Sequence, residues 1–123
     1  MKRDNIFEVL DIWKKSIAYF NTICVAVGCF SDKTTHNLED QAKESALSIA
    51  RNIAQGSSSP SPKELHASLE NAVQSVASTI STLNIASQQN YLRKDLFQEM
   101  YLEGKLLAKR IENFKLRSTI NLN

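Results

Sequence analysis

Apolar residues return every three or four positions through most of this chain, and the rhythm breaks at residues that stop or start helices. In the first stretch Ile6, Leu10, Trp13, Ile17, Phe20, Cys24 and Val27 are spaced alternately by four and three, the interval that aligns side chains on one face of an α-helix. Lys14, Lys15 and Asn21 fall off this stripe, which therefore reads as the buried face. Gly28 and the run "CFSDKTTHN" supply a stop and a loop. A second stripe follows in Leu38, Ala42, Ala46, Ile49 and Ile53. Asn37 stands where a side chain caps free N–H groups, Glu39 and Asp40 suit the positive helix end, and Gly56 is expected to end the helix in the left-handed conformation. Ala42, Ser45, Ala46, Ser48 and Ala50 are small enough to admit a neighbouring helix closely.

The break "SSSPSP" encodes a restart. Ser61 is placed as an N-cap, Pro62 suits the first helical position, and Glu64 lies three residues on to close a capping box. The third stripe is Leu65, Leu69, Ala72, Val73, Val76, Ile80 and Leu83, ending at "SQQN". The fourth is Leu96, Met100, Leu107, Ile111 and Phe114, with Phe97 and Tyr101 offset from it. The predicted helices cover about 6–28, 37–55, 62–88 and 92–116, with a fraying tail over 117–123. Four amphipathic helices of similar length joined by short breaks predict an all-α fold, an antiparallel up-down-up-down four-helix bundle in one domain over 1–123.

Composition supports a folded helical globule: 42% of the 123 residues are hydrophobic against 23% charged, and three glycines and two prolines are the only strong breakers,. The longest apolar run, from Thr22 to Phe30, is far short of the roughly 20 residues a spanning helix needs. The charged start from Met1 to Glu8 lacks a secretory pattern, so a cytoplasmic location is expected.

Candidate chemistry is sparse. Cys24 and Cys29 are five apart, a spacing of neither metal knuckles nor redox pairs, and are expected as reduced thiols packed like small hydrophobes. His36 falls in the first loop and His66 in the first turn of the third helix, and the sequence places no carboxylate, thiolate or second histidine beside either in space for a metal or base role. The hydroxyls Ser68, Ser75, Ser78, Thr79, Ser81 and Thr82 lack the strand-turn-helix context of an activated serine and read as a packing seam. Glu99 and Glu103 are four apart but interleaved with lysines, as on a solvated face, and no Glu-x-x-His motif is present for a di-metal bundle site. No catalytic, cofactor or metal residues are assigned, and no small-molecule substrate is expected.

Two features carry interaction. Trp13, in register with Leu10 and Ile17, is a candidate for packing or subunit contact, as are Phe97 and Tyr101, which with Phe7 lie beside the main stripes and exceed what one core covers. From Lys105 to Arg117 five basic residues, Lys105, Lys109, Arg110, Lys115 and Arg117, face Glu112 alone, and with Lys43 and Lys63 they are the candidate contacts to RNA or DNA. Arg51 near the end of the second helix suits its negative pole, and Asn52 is placed to bond to a neighbouring helix or loop.

The blocks "LDIWKKSI", "SIARNIAQG", "SPKEL" and "NYL", in this order over roughly residues 6 to 114, resemble the four-helix-bundle proteins of the 23S ribosomal RNA intervening-sequence family. The resemblance implies a small bacterial bundle, in several members a ring-like pentamer, with no established biochemical role. The chain is also distantly similar to the accessory variability proteins of diversity-generating retroelements, which bind nucleic acid. It departs from the family pattern by carrying Glu44, Gln55, Gln74 and Ser78, and by having "SSSPSP" where the turn is often glycine- and arginine-rich, which removes basic positions. The leading expectation is a non-enzymatic, self-associating homo-oligomer that serves as an interaction or scaffold protein. The alternative is an RNA-binding module that uses the basic end of the fourth helix in an oligomeric ring.

Overall fold

The computed structural model of the protein describes residues 3–30 and 36–119. Four helices make up the fold: α1 (Arg3–Gly28), α2 (His36–Ser57), α3 (Pro62–Gln88) and α4 (Lys94–Thr119). Each helix packs on the next in chain order and α4 closes the ring against α1, while the backbones of the diagonal pairs stay apart. This is the antiparallel up-down-up-down bundle. Among the described residues no helix is long and apolar enough to cross a membrane.

Helix limits differ in detail from the sequence pattern. α2 starts at His36, so this residue is helical rather than in the loop, and Asn37 lies inside the helix it was expected to cap. The remaining expected loop residues, 31–35, lie outside the described ones. α4 continues to Thr119 instead of giving way to a fraying tail from 117, helped by the Arg117 pair with Glu8 on α1. Residues 120–123 of the expected tail lie outside the described set.

In α2, α3 and α4 the inward residues are those the spacing marks, among them Ile49, Ile53, Leu69, Val76, Leu83, Ile111 and Phe114. Each such side chain is worth roughly 1.5–3 kcal/mol when fully removed from water. In α1 the core face is instead Val9, Ile12, Ser16, Tyr19, Ile23, Ala26, Val27 and Phe30. The expected stripe lies one residue further round. Ile6 and Leu10 are 50% and 44% exposed, and Trp13, Ile17, Phe20 and Cys24 are half-buried. Both stripes repeat at three and four, so period alone does not separate them; the true one was masked because it contains Ser16 and Tyr19. Ser16 satisfies its hydroxyl on the Trp13 carbonyl at 2.6 Å.

Tyr19 is fully buried and its phenol donates to the Met100 carbonyl of α4 at 3.1 Å. Gly104 makes room for it: a Cβ there would lie 2.6 Å from Tyr19 Oη and 3.1 Å from Ile80 Cδ1. Gly56 acts likewise rather than as a left-handed cap, because no glycine has positive φ among the described residues and α2 runs on to Ser57. A Cβ on Gly56 would meet Ser68 Cβ at 2.8 Å, so Gly56 sets the close approach of α2 to α3. Higher on this seam Ser75 donates to Ser48 at 3.1 Å. Asn52 bonds to Ser48 within its own helix and not to a neighbour. Thr79 and Thr82 are buried and return their hydroxyls to the carbonyls of Ser75 and Ser78.

The turns are locally determined. Ser61 caps α3 by accepting the Glu64 N–H at 3.4 Å, with Pro62 at the first helical position. The return half of the box passes through Ser59, whose hydroxyl accepts the Ser61 N–H at 3.2 Å and donates to the Glu64 carboxylate. α3 ends on Asn90 at φ 66, with Tyr91 N–H on the Ala86 carbonyl and Asn90 N–H on that of Ser87, a Schellman ending with asparagine in the usual glycine place.

Gly104→Ala is expected to cost roughly 1–3 kcal/mol in urea unfolding, the range of an overpacked core, since the rigid Tyr19 ring cannot move aside. Tyr19→Phe is expected to cost about 1 kcal/mol and to flatten the alkaline limb of the stability curve. Burial raises the Tyr19 pKa above its ordinary 10.0, so the folded state holds the phenol proton more tightly than the unfolded chain. Its stabilising effect is complete below pH 10 and declines as pH rises beyond.

Candidate functional site

Surface features cluster around α1 and α4. On the α1/α2 face a groove of about 520 Å³ is lined by Ile6, Val9, Leu10, Trp13, Ala54 and Ser57. It exists because α1 carries two adjacent apolar stripes and α2 meets it with small residues such as Ala50 and Ala54, which cover only the inner one. A second cleft of about 450 Å³ opens between the far end of α1 and the start of α4, with Val25, Ala26, Leu96 and Met100 among its walls. On α4 itself Leu102 and Leu106, one turn apart, are 54% and 62% exposed.

The basic run of α4 does not form one patch. Successive residues turn by about 100° around a helix, so the five cations are dealt to different sides. Lys115 is mostly buried between Glu70 of α3 and Glu112, 3.0 Å away on α4. Arg117 reaches Glu8 on α1. Lys105 lies over the Tyr101 ring, 5.7 Å from its centroid, and Tyr101 tilts against Phe97 at 6.1 Å. Lys109 and Arg110 are exposed, and no ion pair joins either to a described residue. Lys63 is exposed in the first turn of α3 and Lys43 is half-buried on α2. Trp13, Phe97 and Tyr101 are all half-buried; Trp13 and Phe97 pack on the edge of the core, and Tyr101 leans on Phe97.

Other candidate groups stay apart. His66 is half-buried near the start of α3, where its charge acts on the Glu70 carboxylate, held below the usual range chiefly by its hydrogen bond to Lys115. Cys29 is exposed and Cys24 half-buried, so neither is the buried hydrophobe expected, and they are not bonded to each other. Glu103 is not on a freely solvated face: partial burial raises its pKa. Arg51 pairs with Glu44 at 3.0 Å along α2. Among the described residues no group of three or more His, Cys, Asp or Glu is placed to hold a metal. The α1/α2 groove and the α4 leucine pair escaped sequence reading because their residues were assigned to the core or ignored as isolated apolar positions. The adjacent apolar pairs Val9-Leu10 and Ile12-Trp13 were the available signal.

Taken together, these features define a four-helix bundle whose exposed chemistry is apolar contact rimmed by charge. The chain belongs to the 23S rRNA-intervening sequence protein family, whose model matches residues 8–113 and so spans parts of all four helices. No curated protein matches its sequence.

Lys115→Met is expected to lower stability near neutral pH by leaving Glu70 and Glu112 without their shared cation, and to flatten the acid limb. Glu70 titrates below its ordinary 4.5 when folded, so the pair's contribution is complete above about pH 4.5 and is lost as pH falls through the folded value. Urea unfolding between pH 3 and 6 on both proteins checks this.

Proposed function

We propose that this protein is a non-enzymatic interaction module whose first partner is itself, a self-associating bundle acting as a scaffold. One observation carries the reading: α1 presents a second apolar stripe, with Ile6, Leu10, Trp13 and Ile17 beside its core face. A helix apolar over so wide an arc is one covered on more than one side. The groove built on that stripe has apolar walls and no convergent acid, base or nucleophile, which suits contact and not turnover. The family match covers residues 8–113, and so the groove's residues from Val9 to Ser57.

A second reading, binding of RNA, draws on Lys105, Lys109 and Arg110, which project from α4 without an ion pair to a described residue. Three phosphate contacts to a single strand give a log-log slope of affinity against salt of roughly −2. A slope near zero in fluorescence anisotropy removes this reading.

Light scattering after gel filtration at micromolar concentration tests the leading reading. The wild-type chain is expected to elute as an assembly, and Leu10→Glu as a species near the 13.8 kDa chain mass with unchanged helical circular dichroism. A monomeric wild type overturns it.

A further inference from the structure

The cleft of about 450 Å³ between α1 and α4 is separate from the α1/α2 groove, since α1 lines the one with residues from Asn21 to Cys29 and the other with residues from Ile6 to Trp13. Its floor is Ala26 and Met100, both buried, and its sides are Val25 and Leu96. Val25 is 71% exposed, an apolar side chain that this chain leaves uncovered. From Asn21 to Cys29 the open stretch is about 12 Å long at roughly 1.5 Å per residue, a little over two helical turns.

The α4 wall carries charge of one sign. Glu99 lines the cleft, and Glu103 follows one turn later on the same side of the helix, where its charge acts on Tyr19 of α1. Among the described residues neither carboxylate has a hydrogen bond or an ion pair. Glu103 is half-buried, and burial raises its pKa with no cation paired to it to offset the loss of water,. The cations on nearby turns are engaged elsewhere: Lys15 with Asp11 at 3.1 Å, Arg117 with Glu8, and Arg93 with Asp95. Arg93 feels the Glu99 charge without pairing to it. The cleft therefore joins an uncovered apolar surface to negative charge that the chain does not neutralise.

We propose that the α1/α4 cleft docks a basic amphipathic helix of a partner protein. The apolar residues of that helix lie on Val25 and Leu96, and its lysines or arginines, one turn apart, meet Glu99 and Glu103. A trough between two antiparallel helices is the shape that a third helix fits, and carboxylates four apart on α4 match cations four apart on the guest. Asn21, exposed on the opposite lip, offers its amide for a hydrogen bond. The same two carboxylates repel phosphate, so nucleic acid and anionic lipid are poor occupants. The site does not depend on self-association through the α1/α2 groove.

Fluorescence anisotropy tests this with a labelled helical peptide that carries leucines and lysines at four-residue spacing, beside a second peptide with glutamate in place of each lysine. The full chain is expected to bind the lysine peptide and not the glutamate one. Glu99→Gln and Glu103→Gln are each expected to weaken binding several-fold and together about tenfold, and Val25→Ser to weaken it as well. Asp40→Asn removes an exposed carboxylate of α2 outside the cleft and is expected to leave binding unchanged, which separates the cleft from general attraction to acidic surface. Glu99 and Val25 are exposed, so their variants decide the matter should Glu103→Gln lose its helical circular dichroism. A lysine peptide that fails to bind, or that binds all four variants as it binds wild type, overturns the proposal. A Glu99→Gln protein that elutes at a different assembly mass from wild type also overturns it, assigning the cleft to a second copy of this chain.

Discussion

The rotation of α1 about its own axis is fixed by one buried contact: the Tyr19 phenol, donating to the Met100 carbonyl over Gly104. Hydrophobicity alone is nearly indifferent here, because the helix carries apolar residues in adjacent pairs such as Val9-Leu10 and Ile12-Trp13, and turning it by one residue exchanges one set for the other. A large ring whose hydroxyl must find an acceptor is not indifferent. α4 offers room at Gly104, and the ring lies there. Everything else about the surface follows. With Tyr19 inward, Ile23 and Val27 fill the core, and Ile6, Leu10 and Trp13 are turned toward α2's small side chains, which cannot cover them.

That constraint also marks how far the sequence could be read. Three of the four stripes, in α2, α3 and α4, face inward as their spacing indicates, because none has a second apolar stripe directly beside it as α1 does, outlying leucines such as Leu102 and Leu106 notwithstanding. The connection into α3 was legible from Ser61, Pro62 and Glu64, whose roles are local; only the relay through Ser59 was not. α1 was misread because the choice between two stripes is made by a partner 81 residues away, and no local window contains that residue. Gly56 and Gly104 share this origin. Each looks like a helix breaker in isolation, yet both sit within helices to let a neighbouring chain segment come close, a fact of tertiary packing and not of propensity.

The charge pattern teaches a related lesson about counting. Five cations in thirteen residues of α4 sum to a strong local charge on paper, but a helix distributes consecutive residues around its circumference. Lys115 is drawn inward to Glu70, and Arg117 turns to Glu8, so those two act as ties among α1, α3 and α4 rather than as a landing site. Such ties are weak where solvated, and the Lys115 pair gains from being mostly enclosed,. What remains outward is a narrower band in which cations and carboxylates border a leucine ridge, a texture closer to that of a protein contact rim than to a phosphate track.

Neighbours in space are also neighbours along the backbone everywhere except at the seam where α4 meets α1. Three of the helix pairs can therefore zip through short hairpin-like closures, which cost little chain entropy and form quickly. The fourth must bring together segments from opposite ends of the polypeptide. The phenol seated beside the glycine holds that seam shut, so the contact that closes the four-sided frame also shapes the surfaces flanking α1.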